Sequence, residues 1–341
     1  MFLDKFKNLL VYLTALGVLG LVIYFSVAHF TREEVALPRE AIRIGVTLTA
    51  DSIPAIIADQ KGFFREEGLN PGMVKYAYGA VSFKNLLDGN IDLAMLAETP
   101  LVVQSFNRKD FAVIANISST YQGRKIVALT DKGIHSILDL RGKRIGVLKN
   151  TSAHYFLEEL LLQNNVPLKD VKLVFLGLDE TPAALKNDKV DAIAAFEPYP
   201  QIIEAQWPAG TLWVNDGDGK IRTAFSYVMT KEYLKTHKET AKKAIRATVK
   251  AIDWMNLHPD ETISIASKEL EIDLTIMRNL YWEYRFKVGI DEVYLLGLRQ
   301  QALWYQISNP AMVGEKMPTY TDFVDSAPLS EAIPGAVNYV H

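Results

Sequence analysis

The sequence contains no cysteine. That excludes disulfides, thiolate metal sites and a cysteine nucleophile, and with them any lipid anchor carried on a cysteine. A chain without cysteine suits an oxidising compartment. Charge of one sign is also lacking: 37 Lys and Arg stand against 40 Asp and Glu, for a formal net charge of -3. With no clustered basic surface, no nucleic-acid partner is expected. No long single-sign run and no low-complexity tract appears. The six histidines lack the i, i+4 spacing of a metal-binding pair. No G-x-S-x-G elbow occurs, and Gly142-Lys143 lacks the upstream glycine loop of a nucleotide phosphate site. The expectation is therefore no catalytic residue, no metal and no cofactor.

What is present is a chain of 341 residues, 49% hydrophobic and 23% charged, able to bury a large core and long enough for two domains. Its N-terminus is distinctive. Lys5 and Lys7 precede an uncharged stretch from Leu9 to Ala28, closed by Arg32, Glu33 and Glu34. A bilayer-spanning helix needs ~20 apolar residues, whereas a signal-peptide core has about 7–15. The near-side lysines place the N-terminus in the cytoplasm and the bulk outside. Residues 1–31 therefore read as a membrane anchor through residues 9–28. Ser26-Val27-Ala28 keeps open a cleaved signal instead.

The remainder repeats itself. The β-type run Ile42-Arg43-Ile44-Gly45-Val46 is followed by a polar loop, Thr47–Ser52, and an apolar helical stretch from Pro54. About a hundred residues later Lys143-Arg144-Ile145-Gly146-Val147 leads to the loop Lys149–Ser152 and a helix from Ala153 to Gln163. Phe83–Asp88 with Ile91-Asp92-Leu93-Ala94-Met95 matches Ala183–Asp188 with Val190-Asp191-Ala192-Ile193-Ala194 at nearly the same offset. Strand–helix alternation in two copies predicts two related α/β lobes. Right-handed crossovers put each strand's C-terminal loop at one sheet edge, where open α/β sheets bind ligands. Further strands are expected at Ala112–Ile117, Ile126–Thr130, Val171–Leu176 and Ala224–Met229. Helices are expected over Lys231–Leu257, Pro259–Glu269, Asp273–Phe286 and Asp291–Ile307, with Trp254, Trp282 and Trp304 in the core.

Several segments together resemble the periplasmic-binding-protein family of ABC importers that includes sulfonate, taurine, nitrate and thiamine-pyrimidine-precursor binders. They are Ile56-Ile57-Ala58-Asp59-Gln60-Lys61-Gly62-Phe63-Phe64 with Glu67-Gly68-Leu69, Leu87-Asp88-Gly89-Asn90-Ile91-Asp92, and Leu138–Val147. Val190-Asp191-Ala192 with Phe196-Glu197-Pro198-Tyr199, and Trp254–Glu261, complete the set. The resemblance implies an α/β, two-lobed periplasmic-binding-protein fold (type II). It has two crossovers between lobes and a ligand cleft between them, preceded here by the N-terminal transmembrane or signal helix. Lobe one would be 41–130 plus 224–341 and lobe two 131–223. A yeast-type pyrimidine synthase shares the fold, but its cysteine-rich motif cannot exist here. The loop Thr47–Ser52 carries no aromatic residue, unlike many pyrimidine-binding relatives, which favours a ligand held by hydrogen bonds.

Candidate ligand contacts follow from cleft position. Ser52, Thr151 and Ser152 sit where loops become helices, either as simple caps or with the helix N-termini as anion contacts that need no arginine. Ser82 carries the same ambiguity. Thr49 and Asp51 belong to the first polar loop, Asp51 as a cap or an amine partner. Glu98, Thr99, Glu197 and Tyr199 end the duplicated strands, and the prolines after Thr99 and Glu197 predict extended geometry there. Each glutamate is either an amine or cross-lobe partner or a solvated carboxylate. His154 and Tyr155 begin the second-lobe helix, either lining the cleft or packed. Ser119, Thr120 and Tyr121 are weaker candidates. The reading is an exported binding protein that closes on a small organic anion or zwitterion and delivers it to an ABC permease and its ATPase. The alternatives are a membrane-anchored sensory or complex-forming subunit, and a binder of a pyrimidine thiamine precursor.

Overall fold

The computed structural model describes residues 39–339 together with Gly17 and Gly20. Apart from those two glycines, the expected anchor or signal segment lies outside the described residues. Among the described residues no helix is long and apolar enough to cross a membrane.

Beyond Arg39 the chain builds two sheets. Strands β1 (Glu40–Thr47), β2 (Leu69–Tyr76), β3 (Leu93–Ala97), β4 (Phe111–Thr120), β10 (Thr223–Thr230), β11 (Tyr284–Asp291) and β12 (Val337–Asn338) form a seven-stranded sheet, ordered β12-β11-β4-β10-β3-β1-β2. Strands β5 (Arg124–Leu129), β6 (Arg144–Val147), β7 (Lys172–Phe175), β8 (Ala192–Phe196) and β9 (Leu212–Asn215) form a second, ordered β7-β6-β8-β5-β9. Each sheet with its helices makes one lobe. The chain passes between them twice, at residues 121–123 and 216–222. The first passage falls earlier than the sequence boundary at residue 130, because β5 pairs with β8 and β9 in the second sheet.

The repeat has a structural counterpart. In the first lobe the Arg43 backbone N–H donates to Asp92 Oδ2 at 2.7 Å, and its guanidinium reaches Oδ2 at 3.1 Å and Oδ1 at 2.6 Å. In the second, Arg144 makes the same three contacts to Asp191 at 2.8, 3.2 and 2.7 Å. Each clasp ties the start of one parallel strand to the start of its neighbour, β1 to β3 and β6 to β8. The glycine two residues on is required by crowding. A Cβ on Gly45 would lie 2.3 Å from Ile91 Cδ1, and one on Gly146 would lie 2.5 Å from Leu176 Cδ1.

The larger core belongs to the first lobe. There the helix Lys238–Leu257 buries Ala244, Ile245, Thr248, Ala251, Ile252 and Met255, a 3- and 4-residue spacing that turns one stripe inward. Each fully buried Ile or Leu contributes about 1.5–3 kcal/mol. The helix Glu292–Ser308 serves both cores: its Tyr294, Leu295 and Leu298 pack in the first, its Trp304 and Tyr305 in the second. One expected helix is shorter than its pattern. Leu274–Glu283 stops where Tyr284 begins β11, which pairs antiparallel with β4. Trp282, expected in the core, is 69% exposed.

Candidate functional site

The loops after β1 and β6 meet at a cavity of about 40 Å³. A buried water needs about 10–15 Å³, so the space fits a compact polar group. Thr47, Thr49 and Asp51 line it from the first lobe, with the turn Tyr78-Gly79-Ala80 that opens the helix Gly79–Leu87. Arg124, Thr151, Ser152, Phe196 and Glu197 line it from the second. Leu96 and Ala97 at the end of β3, Pro100, Phe225 on β10 and Tyr284 on β11 complete the wall.

The first-lobe loop is bound to itself. Ser52 Oγ accepts the Thr47 N–H at 2.8 Å. Thr47 Oγ1 donates to Asp51 Oδ2 at 3.0 Å, and the Thr49 hydroxyl donates to Asp51 Oδ1. Burial pushes the Asp51 carboxyl up, while the two threonine hydroxyls and the positive charge of Arg124 oppose the rise. Ser52 is therefore a loop brace: its side chain caps no helix N–H.

The second-lobe loop is arranged differently. Thr151 Oγ1 donates back to the Leu148 carbonyl at 2.7 Å instead of capping the helix Ser152–Gln163. Ser152 Oγ accepts from Arg124 Nε at 2.7 Å. The Arg124 guanidinium also donates to the Gly123 carbonyl at 2.9 Å and lies 5.2 Å from the Phe225 ring centre in the other lobe. Arg124 is 4% exposed. The sequence points to helix N-termini that need no arginine; here a buried guanidinium stands beside the helix N-terminus, whose first N–H groups have no intrahelical partner.

Next to it lies a second charged group. Lys125 Nζ contacts Glu197 Oε1 at 2.6 Å and, across the cleft, Glu283 Oε1 at 3.0 Å. Two carboxyls share one ammonium. Burial, against the pull of Lys125, pushes Glu197 up to about 7, and the neighbouring Glu283 adds to the rise. Lys125 itself is driven upward by the two carboxylates in spite of burial.

The other candidates are not at the cavity. Ser82 is buried against the Gly45 carbonyl at 3.4 Å. Thr120 Oγ1 accepts from the Gln122 and Gly123 N–H groups at 3.1 and 3.0 Å, bracing the first crossing. Glu98 and Thr99 occupy the first turn of the helix Glu98–Ser105 rather than an extended segment. Pro100 is tolerated in that turn because the N–H it lacks would have had no partner. Glu98 Oε2 accepts from Ala224 N at 3.1 Å and Gln301 Nε2 at 2.9 Å, and Thr99 donates to Gln301 Oε1 at 2.6 Å. Burial, opposed by Arg222, pushes Glu98 up to about 7. His154 is held by Glu158 at 2.9 Å, and both His154 and Tyr155 pack edge-on to Trp304. Tyr199 packs edge-on to Phe196. Ser119 and Tyr121 line a different cavity.

With two sheets, two crossings and a cavity between strand ends in place, a family model described as NMT1/THI5 like matches residues 49–262. The chain belongs to this family. A Bacillus subtilis (strain 168) protein named for binding aliphatic sulfonates is 26% identical over 296 residues, covering 86% of this chain and 88% of its own. The periplasmic aliphatic sulphonate binding protein SsuA from Escherichia coli superposes with a TM-score of 0.72 at 19% identity, over 84% of this chain and 97% of its own. The desulfurization enzyme DSZB superposes with a TM-score of 0.64 at 14% identity, over 86% of this chain and 99% of its own. These likenesses establish an α/β periplasmic-binding-protein fold, one that also carries an enzyme.

Proposed function

We propose that this member of the NMT1/THI5-like family is an extracytoplasmic solute-binding protein of an ABC importer. It captures a small organic anion or zwitterion, of sulfonate or taurine type, between its lobes. The observation that carries this reading is Arg124, a buried guanidinium hydrogen-bonded to Ser152 inside the interlobe cavity. The anionic group would sit against Arg124, Ser152 and the N-terminus of the helix Ser152–Gln163, where charge-assisted hydrogen bonds are strongest. Asp51 from the first lobe and Glu197 from the second supply acceptors for an amine. Tyr78, Phe196 and Phe225 offer apolar surface to the carbon chain between the two charges.

No covalent step is needed. The ligand has only to bind the closed arrangement better than the open one, and the lobes then close about the two crossings. Delivery would be to a permease and its ATPase. Residues 9–28 would hold the protein at the periplasmic or extracellular face of the cytoplasmic membrane.

A thermal-shift panel of alkanesulfonates, taurine, nitrate, carboxylates and pyrimidines tests the proposal on protein freed of carried-over ligand. A sulfonate or taurine should give saturable stabilisation without being consumed. If no solute stabilises the protein, the receptor reading fails. N-terminal sequencing of the native protein checks the tether: a start at His29 would mean release.

A further inference from the structure

A second cavity, of about 420 Å³, shares no lining residue with the interlobe cavity. Both crossings reach it: Ser119 and Tyr121 flank the first, and Arg222 belongs to the second. Arg285 and Lys287 enter from β11, with Asp291 the single acidic side chain on its wall. The backbone here departs from regular pairing. Phe286 pairs with Ser118 but Gly289 with Asn116, so Lys287 and Val288 stand opposite Ile117 alone. A bulge of this kind takes backbone groups out of the ladder and re-aims side chains.

The three cations are poorly satisfied by the protein. Arg222 has five N–H donors, yet its guanidinium makes no hydrogen bond among the described residues, and the Glu98 carboxylate lies 3.9 Å away. Arg285 and Lys287 are exposed and enter no ion pair among the described residues; Arg285 lies 5.9 Å from the Tyr121 ring centre. Asp291 is already engaged, its Oδ1 accepting the Tyr294 N–H at 2.8 Å at the start of the helix Glu292–Ser308. Counting Glu98 beside Arg222 and Asp291 on the wall, three cations stand against two carboxylates, and the charges of Arg285 and Lys287 face the polar space without an ion pair among the described residues.

The geometry points to a second ligand site in this cavity, where Arg222, Arg285 and Lys287 together hold a small oxyanion of at least two negative charges, either phosphorylated or polycarboxylic. Guanidinium groups match both chemistries through paired N–H donors, and the lysine adds a point charge. The site is independent of the interlobe cavity, so it stands or falls separately from the receptor reading.

Isothermal titration of the full chain with citrate and with pyrophosphate, at constant ionic strength and neutral pH, tests it and separates the two sources. At least one anion should bind saturably, and R285Q/K287Q should weaken that binding tenfold or more while Arg124→Ala leaves it unchanged. Both substituted side chains are exposed and pack little, so the double variant should keep its melting temperature. Should it not fold, Lys287→Gln alone is expected to weaken binding about threefold. The inference is overturned if neither anion binds saturably, if the charge variants bind as the parent does, or if Arg124→Ala abolishes the binding.

Discussion

In the first lobe the loop leaving β1 turns its hydroxyls onto its own aspartate, with Thr47 and Thr49 donating to Asp51 and Ser52 bracing the turn. In the second lobe the equivalent loop leaves Ser152 to accept from a guanidinium supplied by β5. Below both loops sits the same arginine–aspartate clasp, matched to about a tenth of an ångström in all three hydrogen bonds. The clasps hold the two frames alike, so the chemical difference is confined to a few residues at the strand tips. The first loop presents a carboxylate alone, whereas the second lobe sets the donors Arg124 and Ser152 beside a carboxylate of its own, Glu197, an asymmetry that bears on the zwitterion reading proposed above.

That asymmetry can be broken most severely at Arg124. Arg124→Ala removes the buried cation, and calorimetry should record about a thousandfold loss of affinity for a sulfonate, on the order of 4 kcal/mol. An affinity within threefold of the parent would remove Arg124 from the site.

Next in size is a pH effect at Glu98. Its folded-state carboxyl titrates near 7 against 4.5 for the unconstrained group, so between those values the folded chain holds a proton that the unfolded chain has lost. The contribution to stability is thus fully present below pH 4.5 and declines as pH rises to about 7. Glu98→Gln should flatten melting curves across this window by on the order of 3 kcal/mol. An unchanged slope would mean that Glu98 ionises normally in the folded state.

The likeness of the two clasps is tested by Asp92→Ala and Asp191→Ala, each of which strands a backbone N–H; the Arg43 guanidinium is stranded as well, whereas Arg144 keeps its contacts to Asp188. With the arginines partly exposed, each should cost about 2 kcal/mol in denaturant unfolding. Costs differing by more than that amount would show a geometric repeat without an energetic one. Acid acts in the opposite sense here from its action on Glu98. Burial raises Asp92 but the Arg43 hydrogen bonds outweigh it, and Arg144 lowers Asp191 directly. Both clasps therefore contribute above the ordinary aspartate range and are lost as pH falls through the depressed values.

The smallest expected effect is the most selective. Asp51→Asn should weaken taurine about tenfold, close to 1.4 kcal/mol, and leave ethanesulfonate no weaker. Equal losses for both ligands would mean that Asp51 shapes the loop without meeting an amine.

Much of the frame was legible because duplication writes itself into strands: R-I-G-V twice, with a following aspartate twice, marks four parallel strands. Of the candidate contacts, Thr49, Asp51, Thr151, Ser152 and Glu197 line the cavity, all from loops at strand tips. Arg124 was not legible, since an arginine opening an ordinary β-type run has no spacing to distinguish it. Its one signal was position, directly after the crossing at Gly123. Glu98 and Thr99 misled because proline marks extended chain in most contexts yet is equally at home in a first helical turn. Strand β11 was hidden for a related reason, its Tyr284 and Phe286 continuing the apolar spacing of the helix before it.

The passage of β5 into the second sheet has a consequence for how the molecule assembles. All five strands of that sheet lie between residues 124 and 215, in one uninterrupted stretch. The first sheet instead needs β10, β11 and β12, which follow it. For a chain emerging N-terminus first, every strand of the donor-bearing sheet is present while the larger sheet still lacks three, although Trp304 and Tyr305 join the second core only later. The half of the cleft holding Arg124 and Ser152 can therefore be in place first, a scaffold on which the other half finishes folding.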